Sequence, residues 1–327
     1  MIFSFALNTS STVQSFFTGA GNPVTIEPCQ ALETTTIHGD TSGILEPIDS
    51  FLEVMRKKKI KRFYLHRTFA LGDILMLVPV VRALRCWGYN PYLRTGGWAK
   101  TILNLLDIRS DVVESYHHPA KGEYGVMLDG VIEQDHFRPK LSEFHRVDIY
   151  FKALGAKKIP KKLDWSMDME RLPAPEVGRG DYVVFQGGGS TQKKQLPLGS
   201  ISFIKERFAE KGITVVMIGE KNKVTTPELF ALIAGAKGLI SMDSSPLWIS
   251  HFTRTPVVAL LGPTRASERL TRHPLYPERA VGIALNKTMG CTSCFEMAKG
   301  CGNRMDCLKV SPEVIWNLIS PEVAKWL

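Results

Sequence analysis

The sequence predicts an α/β protein built from two Rossmann-like domains, and three observations carry that expectation. From Pro47 onward, short runs rich in β-branched and aromatic residues alternate with apolar segments at helical spacing. The alternation breaks in a stretch holding Pro160, Pro173, Pro175, Gly178 and Gly180 among many lysines, then resumes. A chain of 327 residues also exceeds what one hydrophobic core usually holds. The expected organisation is an N-terminal extension over 1–46, a first domain over 47–158, a linker over 159–180 and a second domain over 181–327.

The extension is rich in Thr, Ser and Gly, with short alternating runs that read as small strands or loops. In the first domain Ile48, Phe51, Leu52 and Met55 recur at helical spacing, and a strand follows at 62–66. A loop at 67–72 leads into a helix with Ile74, Leu75, Leu77, Val78, Val81 and Leu84 on one face. A strand at 91–94, a helix at 98–106, strands at 112–116 and 125–128 and a helix at 141–154 complete the unit. The second domain reads as strands at 182–186, 214–218, 238–242 and 256–261 alternating with helices at 199–211, 227–234 and 246–252. Such alternation implies largely parallel sheets, with a ligand expected in a cleft at the carboxyl ends of the strands.

Composition narrows the class. Hydrophobic residues at 44% and charged residues at 22% exclude extended disorder. No apolar run approaches the roughly 20 residues that span a bilayer, and the first residues lack a basic n-region. A cytoplasmic location is expected, or one peripheral to the inner face of a membrane. A net charge of +9 favours an anionic partner. The densest basic run is Arg56-Lys57-Lys58-Lys59, which with Arg67 offers cations to an acceptor or polyanion, or is the solvated end of a helix.

Four strand-to-helix junctions could hold anions on exposed backbone NH groups. Leu71-Gly72-Asp73 opens an apolar helix, where Asp73 can serve as a cap. Gln186 to Lys194 joins Gly188 and Gly189 to Ser190, Thr191 and Lys194. Glycines let a diphosphate approach, hydroxyls donate to it and lysine neutralises it, although neither a Walker loop nor the dinucleotide fingerprint is present. Asp243-Ser244-Ser245-Pro246 ends a strand and begins a helix, with Pro suited to the first turn. Gly262-Pro263-Thr264 is the fourth.

In order and spacing these segments resemble family 9 of the glycosyltransferases, the heptosyltransferase-like group. Gly72-Asp73, then Pro79 and Ala83-Leu84-Arg85, resembles its first helix. Gly188 to Thr191 followed by Lys194-Gln195-Leu196-Pro197 resembles its phosphate loop, and Asp243-Ser244-Ser245 and Gly262-Pro263-Thr264 resemble two further motifs. The resemblance runs over about 60–320 and excludes the N-terminal extension. It implies a GT-B fold, two Rossmann-like domains facing across a cleft, and an inverting transfer from a nucleotide-diphosphate sugar. Two positions depart from the family: Trp248 stands where His is usual and Leu196 where Trp is usual, so the sugar is not assumed to be a heptose.

The resemblance assigns Asp73 as the base that takes the acceptor proton. Gly188, Gly189, Ser190, Thr191, Lys194 and the amides of Ser244 and Ser245 would hold the diphosphate, with Asp243 orienting the donor sugar beside Trp248. Glu220, just beyond a strand, could take ribose hydroxyls, with Glu228 competing for that role. No Asp-x-Asp triplet occurs, so no catalytic metal or other cofactor is expected. The tail carries Cys291, Cys294, Cys301 and Cys307, which could hold a structural zinc or remain thiols or a local disulfide.

The family points to a lipopolysaccharide core or another surface saccharide as acceptor. Two other readings stay open: a DNA glycosyltransferase acting on hydroxymethylated bases, which would use the basic run and flip its target base, and a nucleotide-sugar binding module without catalysis. A Rossmann oxidoreductase is disfavoured, since no Gly-x-Gly-x-x-Gly follows a predicted strand.

Overall fold

The computed structural model describes residues 5–8, 14–18, 23–26, 30–33, 37–38, 45–48, 50–68, 70–112, 124–129, 131, 144–175, 177, 182–188, 194–218, 224–291 and 306–326. The chain divides into two compact units, Met1–Asp135 with Arg146–Asp164, and His136–His145 with Trp165–Leu327.

The first unit holds strands β1 (Phe5–Asn8), β2 (Gln14–Thr18), β3 (Pro23–Ile26), β4 (Gln30–Glu33), β5 (Ile37–His38), β6 (Leu45–Ile48), β7 (Arg62–His66), β8 (Asn90–Thr95), β9 (Ser110–Val112) and β10 (Gly125–Met127). Its helices are α1 (Phe51–Lys57), α2 (Leu71–Cys86), α3 (Lys100–Leu105) and α4 (Arg146–Ala153). One sheet has the order β6-β1-β4-β10-β7-β8-β9, and a smaller one has the order β3-β2-β5. Strands β4, β10, β7, β8 and β9 run parallel, while β1 is antiparallel to both its neighbours. The segment read as an extension thus lends strands to the main sheet, where β4 covers the edge of β10 that would otherwise be open. Helix α2 is buried from Ile74 to Val81, as expected of a helix packed against a sheet and its neighbours.

The second unit is a parallel sheet of β11 (Tyr182–Gln186), β12 (Thr214–Met217), β13 (Gly238–Met242), β14 (Val257–Leu261) and β15 (Ala280–Ala284) in the order β12-β11-β13-β14-β15. Its helices are α5 (Leu198–Ala209), α6 (Thr226–Gly235), α7 (Ser245–Thr253), α8 (Ala266–Arg269) and α9 (Pro312–Val323). Strands β11, β13 and β14 are buried along their whole length, the continuous apolar runs that a sheet covered on both faces requires. Strand β15 was not expected from the sequence: its Ala, Gly and Val residues make a weak strand signal, and Gly282 is needed because a Cβ there would meet Ala266 at 2.5 Å.

Along the run β10-β7-β8-β9 of the first unit the chain order reverses between β7 and β10, and in the second unit's sheet it reverses between β11 and β13. Loops leaving the carboxyl ends of such a strand pair part to opposite sides and leave a crevice, the usual place for a ligand in an open α/β sheet.

Strand β13 is seated by an aromatic ring. A Cβ on Gly238 would lie 2.1 Å from Trp326, which packs with Ile315, Ile319 and Val323 of α9 against the strands. Gly238→Ala is therefore expected to destabilise the protein by about 1–3 kcal/mol through overpacking. Urea denaturation measures it, and an unchanged midpoint would contradict the packing described.

Candidate active site

At the β7/β10 reversal, His66 ends β7 and Arg67 follows it with only 1% of its surface exposed. Its guanidinium donates to the Asp73 carboxylate and, at 3.2 Å, to the Leu128 carbonyl beyond β10, and lies 3.5 Å from Asp129. Asp129 also accepts from the Thr68 amide and hydroxyl, both at 3.0 Å, and stands 3.5 Å from His66 Nε2. Burial first, and then the Arg94 charge, hold His66 below its ordinary pKa, against the opposing pull of Asp129. Asp73 sits in the first turn of α2, behind Ala70, whose φ of +58° is a conformation that costs a non-glycine residue about 1–3 kcal/mol. With its side chain 19% exposed, Asp73 is reachable by a ligand while a buried arginine fixes its orientation.

At the β11/β13 reversal, Asp243 follows β13 and is held by the buried Arg269 of α8, whose Nε and Nη2 each donate at 2.7 Å. Such a fork is the preferred arginine–carboxylate geometry. Lys194 Nζ lies 3.7 Å from the same carboxylate, and Glu268 receives the remaining arm of Arg269 at 3.4 Å. The loop that carries Lys194 is pinned at its base, where the Leu196 amide donates to the Gly187 carbonyl at 2.8 Å. Gln186 Oε1 accepts from Ser241 at 3.2 Å and from the N-capping Ser244 at 2.8 Å, tying the end of β11 to the start of α7. Pro246 has no NH and the Leu247 amide reaches the Ser244 carbonyl at 3.2 Å, so the Ser244 and Ser245 amides are the ones left to a ligand, directly after the clamped Asp243 that Lys194 also approaches.

Behind Arg269 lies a buried histidine cluster. The Arg269 carbonyl accepts from Nε2 of His145 at 3.2 Å, and His251 faces carbonyls at both nitrogens, Arg269 at 3.1 Å from Nε2 and Leu247 at 3.0 Å from Nδ1. A neutral ring can donate to only one of the two carbonyls flanking His251. Burial nonetheless pulls its pKa down to about 4, against the contrary pull of both carbonyls. His273 accepts from the Leu275 amide at Nδ1 and so donates from Nε2 to Ser250, 3.2 Å away. Burial and the neighbouring His251 push both His145 and His273 well below the ordinary range.

The structure brings Gly188, Lys194, Asp243, Ser244 and Ser245 to one sheet end, and Arg67 and Asp73 to the other unit's. Arg67 is a buried partner of Asp73 rather than a surface cation, and Lys57, Lys58 and Lys59 lie before β7, at its opposite end. Trp248 is 3% exposed and stacks on His251 with ring centroids 5.0 Å apart. Glu228 spends its carboxylate on the capping box of α6, receiving the Thr225 amide at 2.6 Å. Gly189, Ser190, Thr191, Glu220, Cys294 and Cys301 lie outside the described residues. Sequence reasoning missed Asp129, Gln186 as a tie, Glu268, Arg269 and the histidines. Asp129 alone had a signal, as the acid that follows a strand at a reversal point.

The histidine cluster gives stability a pH dependence of definite sign. Folded pKa values below the unfolded value of about 6.5 mean that the unfolded chain binds more protons in acid, so stability is complete above that value and is lost as pH falls from about 6.5 towards 4. The expected slope is up to about 1.4 kcal/mol per pH unit for each histidine. Urea midpoints between pH 7.5 and 4.5 measure it, and His251→Phe should flatten the slope; a flat wild-type profile would contradict the assignment.

No protein-family model matches the sequence, and no curated protein matches it either. Solved structures do. A family 9 glycosyl transferase from Veillonella parvula DSM 2008 aligns with a TM-score of 0.56 at 15% identity, over 81% of this chain and 98% of that one. TibC, an iron-containing dodecameric glycosyltransferase from enterotoxigenic E. coli H10407, aligns at 0.59 and 14% identity over 100% of this chain and 93% of that one. E. coli heptosyltransferase WaaC with ADP aligns at 0.52 and 14% identity over 80% and 99%. The TibC alignment takes in the N-terminal strands as well. The chain has the α/β fold of the heptosyltransferase-like, family 9 glycosyltransferases, two sheets with interleaved helices, as its motifs led one to expect.

Proposed function

We propose that this chain is an inverting glycosyltransferase that moves a sugar from a nucleoside-diphosphate donor to an acceptor hydroxyl. The observation that carries the reading is the set of groups at the β11/β13 reversal: Lys194 and the amides opening α7 as donors, and the clamped Asp243 as acceptor. A diphosphate leaving group gathers negative charge as the glycosidic bond breaks, and fixed cations and NH dipoles stabilise that charge best. An ionised carboxylate has about four acceptor sites. Arg269 and Lys194 engage some of them, and the remainder can orient a sugar hydroxyl. In the first unit Asp73 takes the acceptor proton, with Arg67 as a positioning partner.

The fold supports a nucleotide sugar as co-substrate, since WaaC was solved with ADP and TibC with ADP-D-beta-D-heptose. A surface saccharide of the lipopolysaccharide-core class is the acceptor we favour, in keeping with the net charge of +9 and with the resemblance. The DNA reading draws less support, because the basic run 56–59 and Asp73 lie at opposite ends of β7 and its neighbouring helix.

Two substitutions test the roles separately. Asp73→Asn should lower turnover by about 10²-fold or more while donor affinity holds, and near-normal turnover would remove Asp73 from the base role. Lys194→Ala should weaken donor binding, and unchanged calorimetric affinity would remove the lysine. Mass spectrometry of products from a nucleotide-sugar panel, offered lipopolysaccharide core and hydroxymethylated DNA in turn, identifies the acceptor.

For Cys291, Cys294, Cys301 and Cys307 we propose free thiols or a local disulfide, with a thiolate-bound structural zinc as the second reading. Cys307 is buried on a 3-10 turn that packs against the turn at Leu285–Met289, and Cys291 follows that second turn closely, while among the described residues no three His, Cys, Asp or Glu side chains gather as a metal site requires. A bound metal would cross-link the tail. Elemental analysis of the purified protein decides between them: a metal-free, stable protein is expected of thiols or a disulfide, and about one zinc per chain would establish the metal site instead.

A further inference from the structure

The first unit holds a cavity of about 510 Å³ that the proposed reaction does not use. It opens beside Trp87, which caps the C-terminal end of α2. Asp73 lies in the first turn of that helix, about 20 Å away along its axis at 1.5 Å per residue. The basic run met in the sequence therefore borders a pocket remote from the carboxylates.

Specific contacts build this pocket. Ser50 caps α1 and its hydroxyl donates to the Gly155 carbonyl at 3.2 Å, while the Leu52 amide donates to the Leu154 carbonyl at 3.1 Å. Gly155 has a φ of +73°, and a Cβ there would lie 2.1 Å from the Ser50 hydroxyl, so only glycine allows this approach. The stitching fixes the segment after α4 against the start of α1 and sets Lys157 and Lys158 in the same cavity wall as Arg56. Leu52, Trp87 and Tyr89 supply apolar surface. The Tyr89 hydroxyl is held by the Leu52 carbonyl at 3.4 Å, and Trp87 packs on Phe151 yet keeps 41% of its surface exposed.

Charge at the rim is unbalanced. Glu53 is the one carboxylate among the described lining residues, and Lys57 already bonds it at 3.2 Å. That bond and the Lys57 charge, with lesser help from Lys157 and Arg56, hold Glu53 below the usual carboxylate range. Three lining cations, Arg56, Lys157 and Lys158, thus face an acid already paired with Lys57, more positive charge than a single carboxylate ligand would neutralise.

We propose that this cavity binds a soluble phosphorylated ring compound, its phosphate on Arg56, Lys157 and Lys158 and its ring against Trp87 and Tyr89. A phosphate dianion suits several converging cationic donors, and two aromatic side chains favour a planar or ring-shaped body over a flexible chain. The volume falls within the range of small-molecule sites.

Calorimetric titration of the full chain with 1-naphthyl phosphate, inorganic phosphate and dihexanoyl phosphatidic acid tests this. Naphthyl phosphate should bind saturably and about tenfold or more tighter than inorganic phosphate. Lys157→Glu with Lys158→Glu, exposed positions that leave the core alone, should weaken it by about tenfold or more. Trp87→Ala should bring it down towards inorganic phosphate, and Lys194→Ala should leave it unchanged, which separates this pocket from the donor site. The proposal is overturned by an absence of saturable binding, by binding that survives the charge reversal, by binding that disappears with Lys194→Ala, or by tighter binding of the short-chain lipid, which would mark a lipid-headgroup site.

Discussion

A buried arginine gripping a carboxylate at the carboxyl end of a parallel sheet is the interaction on which the rest of this structure depends. It occurs in both units, as Arg67 with Asp73 and as Arg269 with Asp243. Neither guanidinium can be left unpaired at such burial, because a desolvated charge without a partner costs several kcal/mol. The pairs therefore dictate where the following helices start and which loops approach one another. They also fix, before any ligand arrives, the direction of the two acids to which chemistry is assigned.

Supporting shells differ between the two sites in a way that suits their proposed tasks. Around Asp243 the shell is buried and aromatic: two imidazoles face the Arg269 carbonyl, Trp248 stacks on one of them, and Trp165 donates from its indole to the Arg272 carbonyl. That rigidity fits an orienting acid whose position matters more than its proton. Around Asp73 the partners are polar and shared, with Asp129 serving His66, Arg67 and Thr68 together. An acid that must gain and lose a proton is better placed in a network that can redistribute charge.

Much of this was legible in the sequence because it is local. Strands such as Tyr182–Gln186 and Val257–Leu261 announce themselves as apolar runs, and Asp73, Lys194 and Asp243 stand at junctions that strand-helix alternation makes conspicuous. What remained hidden depends on distance along the chain. Arg269 lies 26 residues from Asp243 on a four-residue helix with no motif of its own. His145 meets the Arg269 carbonyl across 124 residues. The basic run at 56–59 had an ambiguous meaning until the segment after α4, a hundred residues later, was found in the same cavity wall. The N-terminal strands stayed obscure for a related reason, since pairing of β4 with β10 is a long-range choice that short alternating runs do not specify.

The central claim is that the β11/β13 reversal is a built diphosphate site. A crystal structure of the chain with a bound nucleoside diphosphate tests it most directly. The account predicts phosphate oxygens within hydrogen-bonding distance of Lys194 Nζ and of the Ser244 and Ser245 amides, with the Arg269–Asp243 fork intact. A diphosphate bound elsewhere, or one whose arrival breaks that fork, would contradict it.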